Sequence, residues 1–467
     1  MVFTEFRFLL FFAIVFAIYW LLPRNGWRKA FLLLASYTFY GVWDWRFLSL
    51  LLGTTLIDYF VSQQIAKTII PESKRNWLLV SLIANLGVLG FFKYFNFFAD
   101  SAVGFFNWVG LPVNSVTLNV VLPVGISFFV FQTLSYTIDV YRGNLEPERN
   151  LLNLALFIAF FPQLVAGPIV RAVDFLPQLT SARVFGQVNV RASLLLFIIG
   201  FFKKACVSDN FASLVDTYFS SPESFNVASA WIGVLAYAVQ IYCDFSGYSD
   251  MAIAVAGLLG YELCLNFDAP YFASSITAFW RRWHISLSTW LKDYLYIPLG
   301  GNRGGHTYRN LMLTMLLGGL WHGAAWTFVI WGGMHGGALI AHREWAKRFK
   351  PASPWLTKTM GLWGAALTFY WVCFTWIFFR ADSFANAMTV VKAFVLLQSP
   401  GAQQLNLAFF GVFALLAALH WVWANPQWKT GLMQLPDQLF AVGYGFAIAA
   451  LLTIMPTSYS PFIYFQF

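Results

Sequence analysis

The sequence predicts an all-α polytopic membrane protein of about 11–12 membrane segments, some broken or re-entrant. Three observations carry this. Hydrophobic residues make up 59% of the 467 and charged residues only 10%, against about 25% charged in a soluble domain. So few charges cannot cover a water-facing surface, so lipid covers it. Apolar runs close to the roughly 20 residues that cross a hydrocarbon core recur from residue 6 to residue 455. Those runs are continuous and do not alternate apolar with polar, as outer-membrane strands do. Length alone suggests about three soluble domains. Composition overrules it in favour of one integral membrane domain over residues 1–467.

In chain order the expected spans are 6–22, 30–44, 47–66, 77–98, 119–140, 151–170, 192–218, 227–260, 311–341 (broken), 360–379, 405–424 and 438–456. The first is read as a membrane helix and not a cleaved signal. Glu5 and Arg7 leave no net positive start, and the run Phe8–Leu22 ends at Pro23-Arg24 without an A-x-A site. Cys206, Cys243, Cys264 and Cys373 lie singly, with no CxxC pair, and are read as small apolar core residues.

The net charge of +9 is not a nucleic-acid signal, because basic residues gather at the ends of apolar runs. That is where cytoplasmic loops keep them. Arg24, Arg28 and Lys29, then Lys67, Lys74 and Arg75, then Arg142 and Arg149 mark alternate ends, and no Lys or Arg lies between Lys93 and Arg142. This places the N-terminus outside and residues 100–118 outside; Arg46 runs against the pattern. Residues 281–309 and 343–358, the latter with Arg343, Lys347, Arg348, Lys350 and Lys358, read as cytoplasmic.

Arg309 to Arg343 is then too long for one upright crossing and too short for two, at 1.5 Å per helical residue. Gly318-Gly319, Gly332-Gly333 and Gly336-Gly337 offer places to break. In that segment stands "GGLWHGAAW", with His322 between Trp321 and Trp326. A polar group at such depth is expensive and marks a functional candidate. No HExxH motif and no GxSxG elbow accompany it. If catalytic, His322 acts directly as a general base, suited by its ordinary pKa to taking a hydroxyl proton near neutral pH. A satisfied buried histidine is the alternative. His335 and His342, seven apart, share a helix face.

A second stretch is "FWRRWHISLSTWLKDYLYIPLGGNRGG", residues 279–305. Ile276, Trp280, Trp283, Leu287, Trp290 and Tyr294 recur at helical spacing, with Arg281, His284, Ser288 and Lys292 on the other face. The expectation is one amphipathic helix, an interfacial anchor or the lining of a polar vestibule. Gly300-Gly301-Asn302-Arg303-Gly304-Gly305 follows. It suits a phosphate-bearing ligand, through close backbone N–H groups and Arg303, or is simply a turn. Asp58, Lys93, Asp139, Asp244 and Asp250 are further polar groups inside spans. Asp244 and Asp250, in "QIYCDFSGYSD", are read as proton carriers of a transporter or as structural clamps paired with Arg281 or Arg282.

Together these stretches resemble the membrane-bound O-acyltransferase (MBOAT) family, in the branch of alginate O-acetyltransferase and teichoic acid D-alanyltransferase. The resemblance rests on "FWRRWHISLSTWLKDYLYIPLGGNR" (279–303) and "GGLWHGAAWTFVIWGGMHG" (318–336). It is supported by "LPVGISFFVFQTLSYTIDVYRG" (122–143), "FFPQLVAGPIVR" (160–171) and "YCDFSGYSDMAIAVAGLLGY" (242–261), and spans about residues 1–380. It implies a ring of membrane helices around a central tunnel, with His322 in the family's W-H-G context and His284 in its R-R-W-H context as catalytic residues. It also implies a bacterial inner-membrane enzyme taking an acyl group from a cytoplasmic thioester, acetyl-CoA or an acyl carrier, for an extracytoplasmic polysaccharide such as alginate. Arg281, Arg282 and Arg303 are the expected contacts to the donor's phosphates. No metal or tightly bound cofactor is expected. Beyond membrane lipid and the donor, a periplasmic or membrane-anchored acetyltransferase is the expected partner. D-alanyl transfer to teichoic acid and a non-catalytic transporter are the alternatives. A transporter would tend to show paired, interrupted spans in two related halves, and no such pairing is found.

Overall fold

A computed structural model of the chain describes residues 1–114, 117–349, 353–425, 427–456 and 461–463; Lys350 of the expected basic stretch lies outside them. Among the described residues the only β pairing is an isolated bridge between Phe225 and Gln403, so the protein is all-α. Among the described residues, four helices are long and apolar enough to cross a membrane: Pro71–Trp108, Val227–Leu258, Thr357–Arg380 and Asp437–Ile454. Several other expected spans are shorter or interrupted. The chain gathers into two compact units, residues 1–190 with 252–264, and residues 191–251 with 265–467.

The first unit holds α1 (Phe6–Leu21), α2 (Asn25–Asp44), α3 (Leu48–Lys67), α4 (Pro71–Leu89), α5 (Phe95–Trp108), α6 (Ile126–Arg142), α7 (Leu151–Ala159), α8 (Phe161–Leu164) and α9 (Ala172–Thr180). α4 continues into α5 through a π-turn at Gly90–Tyr94, so helix occupies half of the loop expected over 100–118. The span expected from residue 119 begins only at Ile126. Gly125 before it has φ +74°, and a Cβ there would lie 2.5 Å from the Leu164 carbonyl oxygen. The span expected over 151–170 breaks at Phe160, with Pro162 in the first turn of α8. Asp58 knits three helices: its carboxylate accepts from the Ser81 hydroxyl, from Asn85 Nδ2 at 2.9 Å and from Thr137 Oγ1 at 3.0 Å. Asp58 is fully buried, so those bonds replace the water it has lost.

The second unit holds α10 (Val190–Phe201), α11 (Asp209–Ser220), most of α12 (Val227–Leu258), α13 (Ile276–Trp280), α14 (Ile285–Leu291), α15 (Thr307–His322), α16 (Trp326–Arg348), α17 (Pro354–Arg380), α18 (Phe384–Val395), α19 (Phe409–Ala424), α20 (Gln427–Met433) and α21 (Asp437–Ile454). A π-turn at Phe202–Ser208 joins α10 to α11. It presents Lys203 to Asp250 at 2.7 Å, and Lys204 to Asp209 at 2.7 Å and Asp244 at 2.6 Å. The α12 carboxylates are therefore clamps, but their partners are these lysines and not Arg281 or Arg282. Gly200 and Gly247 make the approach possible, because a Cβ on either would lie within 2.6 Å of the other's carbonyl oxygen.

The segment expected as one broken span is a helical hairpin, α15 and α16, with its turn at Gly323–Ala325. The paired glycines do not break it. They lie inside the helices and let the backbones touch. A Cβ on Gly319 would sit 2.2 Å from the Phe328 carbonyl oxygen, and one on Gly332 2.2 Å from that of Met315. The break falls at Gly323, where a Cβ would lie 2.1 Å from the Phe328 ring. Cys206, Cys243 and Cys373 are buried as expected, but Cys264 is exposed.

Gly332→Ala should destabilise the protein by about 1–3 kcal/mol, the usual cost of overpacking. Gly337→Ala, where nothing lies within 4 Å, should be neutral or gain up to ~1 kcal/mol from helix propensity. Thermal melts of the two variants in detergent check this, and equal melting points would contradict it.

Candidate active site

His322 is the last residue of α15 and is 3% exposed. Its ring lies edge-on to Trp321 (5.0 Å between centroids), Trp331 (5.1 Å) and Phe379 (5.4 Å). Trp331 in turn stacks on Trp376 at 5.8 Å. The aromatic walls exclude water and hold the imidazole's plane. The C-terminal end of a helix carries about half a negative charge, and His322 stands at that end.

His284 lies 6.4 Å from His322 between ring centroids and is fully buried. The single amphipathic helix expected over 276–294 is not formed. α13 ends at Trp280, α14 starts at Ile285, and His284 between them has φ +43°. That left-handed turn removes His284 from the cationic face where a continuous helix would have put it. The cause is the segment Asn266–Asp268, which fills the break. The Ile285 amide donates to the Asn266 carbonyl at 2.9 Å, and the Asp268 amide to the Arg282 carbonyl at 3.0 Å.

The Asn266 side chain fixes the ring. Its Oδ1 accepts from Ser286 Oγ (2.9 Å) and the Ser286 amide (3.2 Å), and lies 3.1 Å from His284 Nδ1. An oxygen holding two donors is an acceptor, so Nδ1 carries the proton and Nε2 carries the lone pair. Burial pushes the His284 pKa down to about 3, so the ring is neutral near pH 7. The two histidines therefore offer a buried acid–base pair on separate elements.

His335 is fully buried close by, but both its nitrogens have structural partners. Nδ1 accepts from Trp280 Nε1 at 3.3 Å, and Nε2 lies 3.0 Å from Thr375 Oγ1, which itself donates to the Val372 carbonyl. His342 Nδ1 lies 2.9 Å from Thr277 Oγ1. The two histidines thus share a face of α16, and that face meets α13.

Arg281 is exposed and Arg282 half-buried, both in the turn that presents His284. Arg303 stands apart in an exposed loop before α15, and about 22 Å of helix separates Thr307 from His322. The loop needs its glycines, with positive φ at Gly300, Gly301, Gly304 and Gly305. Its N–H groups are partly engaged: Gly301 donates to Tyr296 and Arg303 to Gly300. Asn302 Oδ1 anchors it, accepting from the Tyr296 hydroxyl and from Arg343 at 2.8 Å. Sequence reasoning missed Asn266, Trp331, Trp376 and Phe379. None carries a local signal, because each matters only through what packs against it.

The fold is that of an all-helical membrane protein, with two buried histidines brought together in its second unit. The model of the MBOAT, membrane-bound O-acyltransferase family, matches residues 148–381, which include both histidines. The chain belongs to that family and is an O-acyltransferase. It is 39% identical over 499 aligned positions to a Pseudomonas putida protein named "probable alginate O-acetylase AlgI", covering 100% of both chains. It is 40% identical to the peptidoglycan O-acetyltransferase of Helicobacter pylori, over 79% of this chain and 73% of that one. To the teichoic acid D-alanyltransferase of Bacillus subtilis it is 28% identical, over 57% of this chain and 70% of that one.

Asn266→Ala should remove the acceptor that Ser286 and His284 share, at about 0.5–1.5 kcal/mol for each hydrogen bond lost. A lowered melting point with reduced acyl transfer is the expected result, and an unchanged value of either contradicts the clamp.

Proposed function

We propose that this chain takes an acetyl group from acetyl-CoA on the cytoplasmic side of a bacterial inner membrane, for O-acetylation of an extracytoplasmic polysaccharide such as alginate. The observation that carries the proposal is the His284–His322 pair, two buried rings 6.4 Å apart inside the segment that defines the family. Relatives bearing O-acetylase or O-acetyltransferase names stand at 39–44% identity and the D-alanyltransferase at 28%, which supports acetyl over D-alanyl.

In the reaction, His322 takes the proton of an acceptor hydroxyl as its oxygen attacks the thioester carbonyl. The new C–O bond forms, the C–S bond breaks, and the thiolate leaves to be protonated by the imidazolium. His284, held neutral by burial and with Nε2 as its unprotonated nitrogen, orients the acceptor or relays its proton. Arg303, with Arg281 and Arg282, meets the donor's phosphates. The helix length between the glycine loop and His322 leaves room for the donor's long flexible arm. The N-terminus lies outside, residues 281–309 lie in the cytoplasm, and a separate extracytoplasmic acetyltransferase completes transfer to the polymer.

His322→Ala should lower acyl transfer by about 10²- to 10⁴-fold, as for loss of a general base, with normal protein level in the membrane. Acetyl content of the exported polymer reads this, and full acetylation by the variant sinks the assignment. Arg303→Ala should act mainly through KM, because a contact made equally in ground and transition states leaves kcat alone. Loss of a charge-assisted bond of about 1.5–3 kcal/mol corresponds to a roughly 10- to 150-fold rise in KM. A fall in kcat at constant KM would instead put the loop in the reacting centre. For orientation, His306→Cys in a background without the four native cysteines should resist an impermeant thiol reagent in intact cells. Labelling there overturns the topology.

A further inference from the structure

The second unit contains a cavity of about 390 Å³ that neither His284 nor His322 lines, walled by α12, α17, α19 and the π-turn after α10. That volume falls within the usual range of small-molecule sites, roughly 300–1,000 Å³. Leu235, Val239, Phe369, Phe413 and Ala417 give it hydrocarbon walls. One wall, α19, buries none of its own residues, so the cavity is bounded there by a helix whose other side is open to lipid.

One end of the cavity is polar. Lys203, Tyr242, His420 and Trp423 meet there. The Lys203 ammonium lies 5.6 Å from the Tyr242 ring and 5.6 Å from that of Trp423. It is already neutralised by Asp250 at 2.7 Å. His420 stacks on Phe272 at 4.8 Å and meets the edge of Tyr242 at 5.1 Å. Its Nε2 is buried and has no hydrogen-bond partner among the described residues. A buried ring nitrogen without a partner is costly, and a bound group supplies what the protein does not.

We propose that this cavity binds one ester-linked acyl chain of a membrane glycerolipid. The hydrocarbon fills the apolar part, and an ester carbonyl accepts a hydrogen bond from His420 Nε2–H. Charge decides the head. Because Lys203 is paired with Asp250, the polar end is net neutral, which suits an uncharged ester better than the carboxylate of a free fatty acid. Depth agrees. His420 is four residues from the end of α19, beside Trp421 and Trp423, of which Trp421 is 69% exposed. Exposed tryptophans mark the headgroup level of a bilayer, where glycerol esters lie. The site also touches the catalytic elements, because Tyr242 and Tyr271 on its wall pack on Trp283 at 6.2 and 5.9 Å, next to His284. The proposal does not depend on which acyl group the enzyme transfers.

The test uses the full chain in mild detergent, with native mass spectrometry for retained lipid. It adds photolabelling by a phosphatidylglycerol carrying a diazirine in its acyl chain. Wild type should retain one glycerolipid and take label on residues 235–243 and 409–424 above the lipid-facing α21. Ala417→Phe, and separately Ala414→Phe, fill the cavity from a helix with no buried residues and should abolish both signals at an unchanged melting point. His420→Leu, losing one hydrogen bond, should weaken retention by about 2- to 10-fold. A free diazirine fatty acid should label this site less than the ester does. Label no higher than on α21, or unaffected by either filling variant, overturns the site. Stronger labelling by the free acid overturns the ester assignment.

Discussion

Backbone-to-backbone contact between α15 and α16 is the constraint on which the candidate site rests. Helices normally pack about 8–10 Å apart because side chains intervene. Here a Cβ on Gly319 or Gly332 would fall 2.2 Å from a carbonyl oxygen of the facing helix. In lipid no hydrophobic effect drives helices together, and small residues that permit close van der Waals contact do that work. The tight hairpin lets α15 stop at His322, so the histidine terminates a helix instead of facing outward from its middle. A helix end also brings a partial negative charge that a mid-helix position lacks.

The second histidine reaches the same place by a different device. Nothing in the local spacing of residues 276–294 asks for a break, and the pattern is that of one continuous helix. The break exists because Asn266–Asp268 arrives with backbone and side-chain groups that pair with residues 282–286. Those bonds hold His284 in a left-handed conformation, which histidine adopts more readily than most residues but which is still uncommon. Aromatic rings close the remaining volume: Phe245 lies edge-on to His284 at 4.6 Å, and Trp331, Trp376 and Phe379 form the wall beside His322. Water is thereby kept from both imidazoles, and electrostatic effects are stronger in such a medium than in water.

Elsewhere the few charges are handled by one rule: a buried charge is paired or fully hydrogen-bonded. Asp58 accepts three side-chain hydrogen bonds, while Lys203 and Lys204 meet Asp250 and Asp244 across the Gly200–Gly247 contact and Lys204 also meets Asp209. These clusters tie helices that lipid would otherwise leave free to slide. They also show that polar residues within spans need not mark a transport pathway.

The sequence by itself determined the class. Its composition requires lipid around the chain, its continuous apolar runs require helices, and two histidine-bearing motifs carry a family resemblance that the comparisons bear out. It also singled out His322, because an imidazole in an apolar run is anomalous without any knowledge of its neighbours. Tertiary structure alone decided where helices end and which polar groups meet. Glycine pairs read locally as breaks became contacts, because their role depends on the facing helix. The continuous helix through His284 was interrupted by a segment some 20 residues earlier in the chain. The aspartates of α12 chose Lys203 and Lys204 over Arg281 and Arg282. Helical periodicity reports which residues share a face of one element. It carries no information about which element covers that face, and long-range packing overrides it wherever a buried hydrogen bond is worth more than a turn of helix.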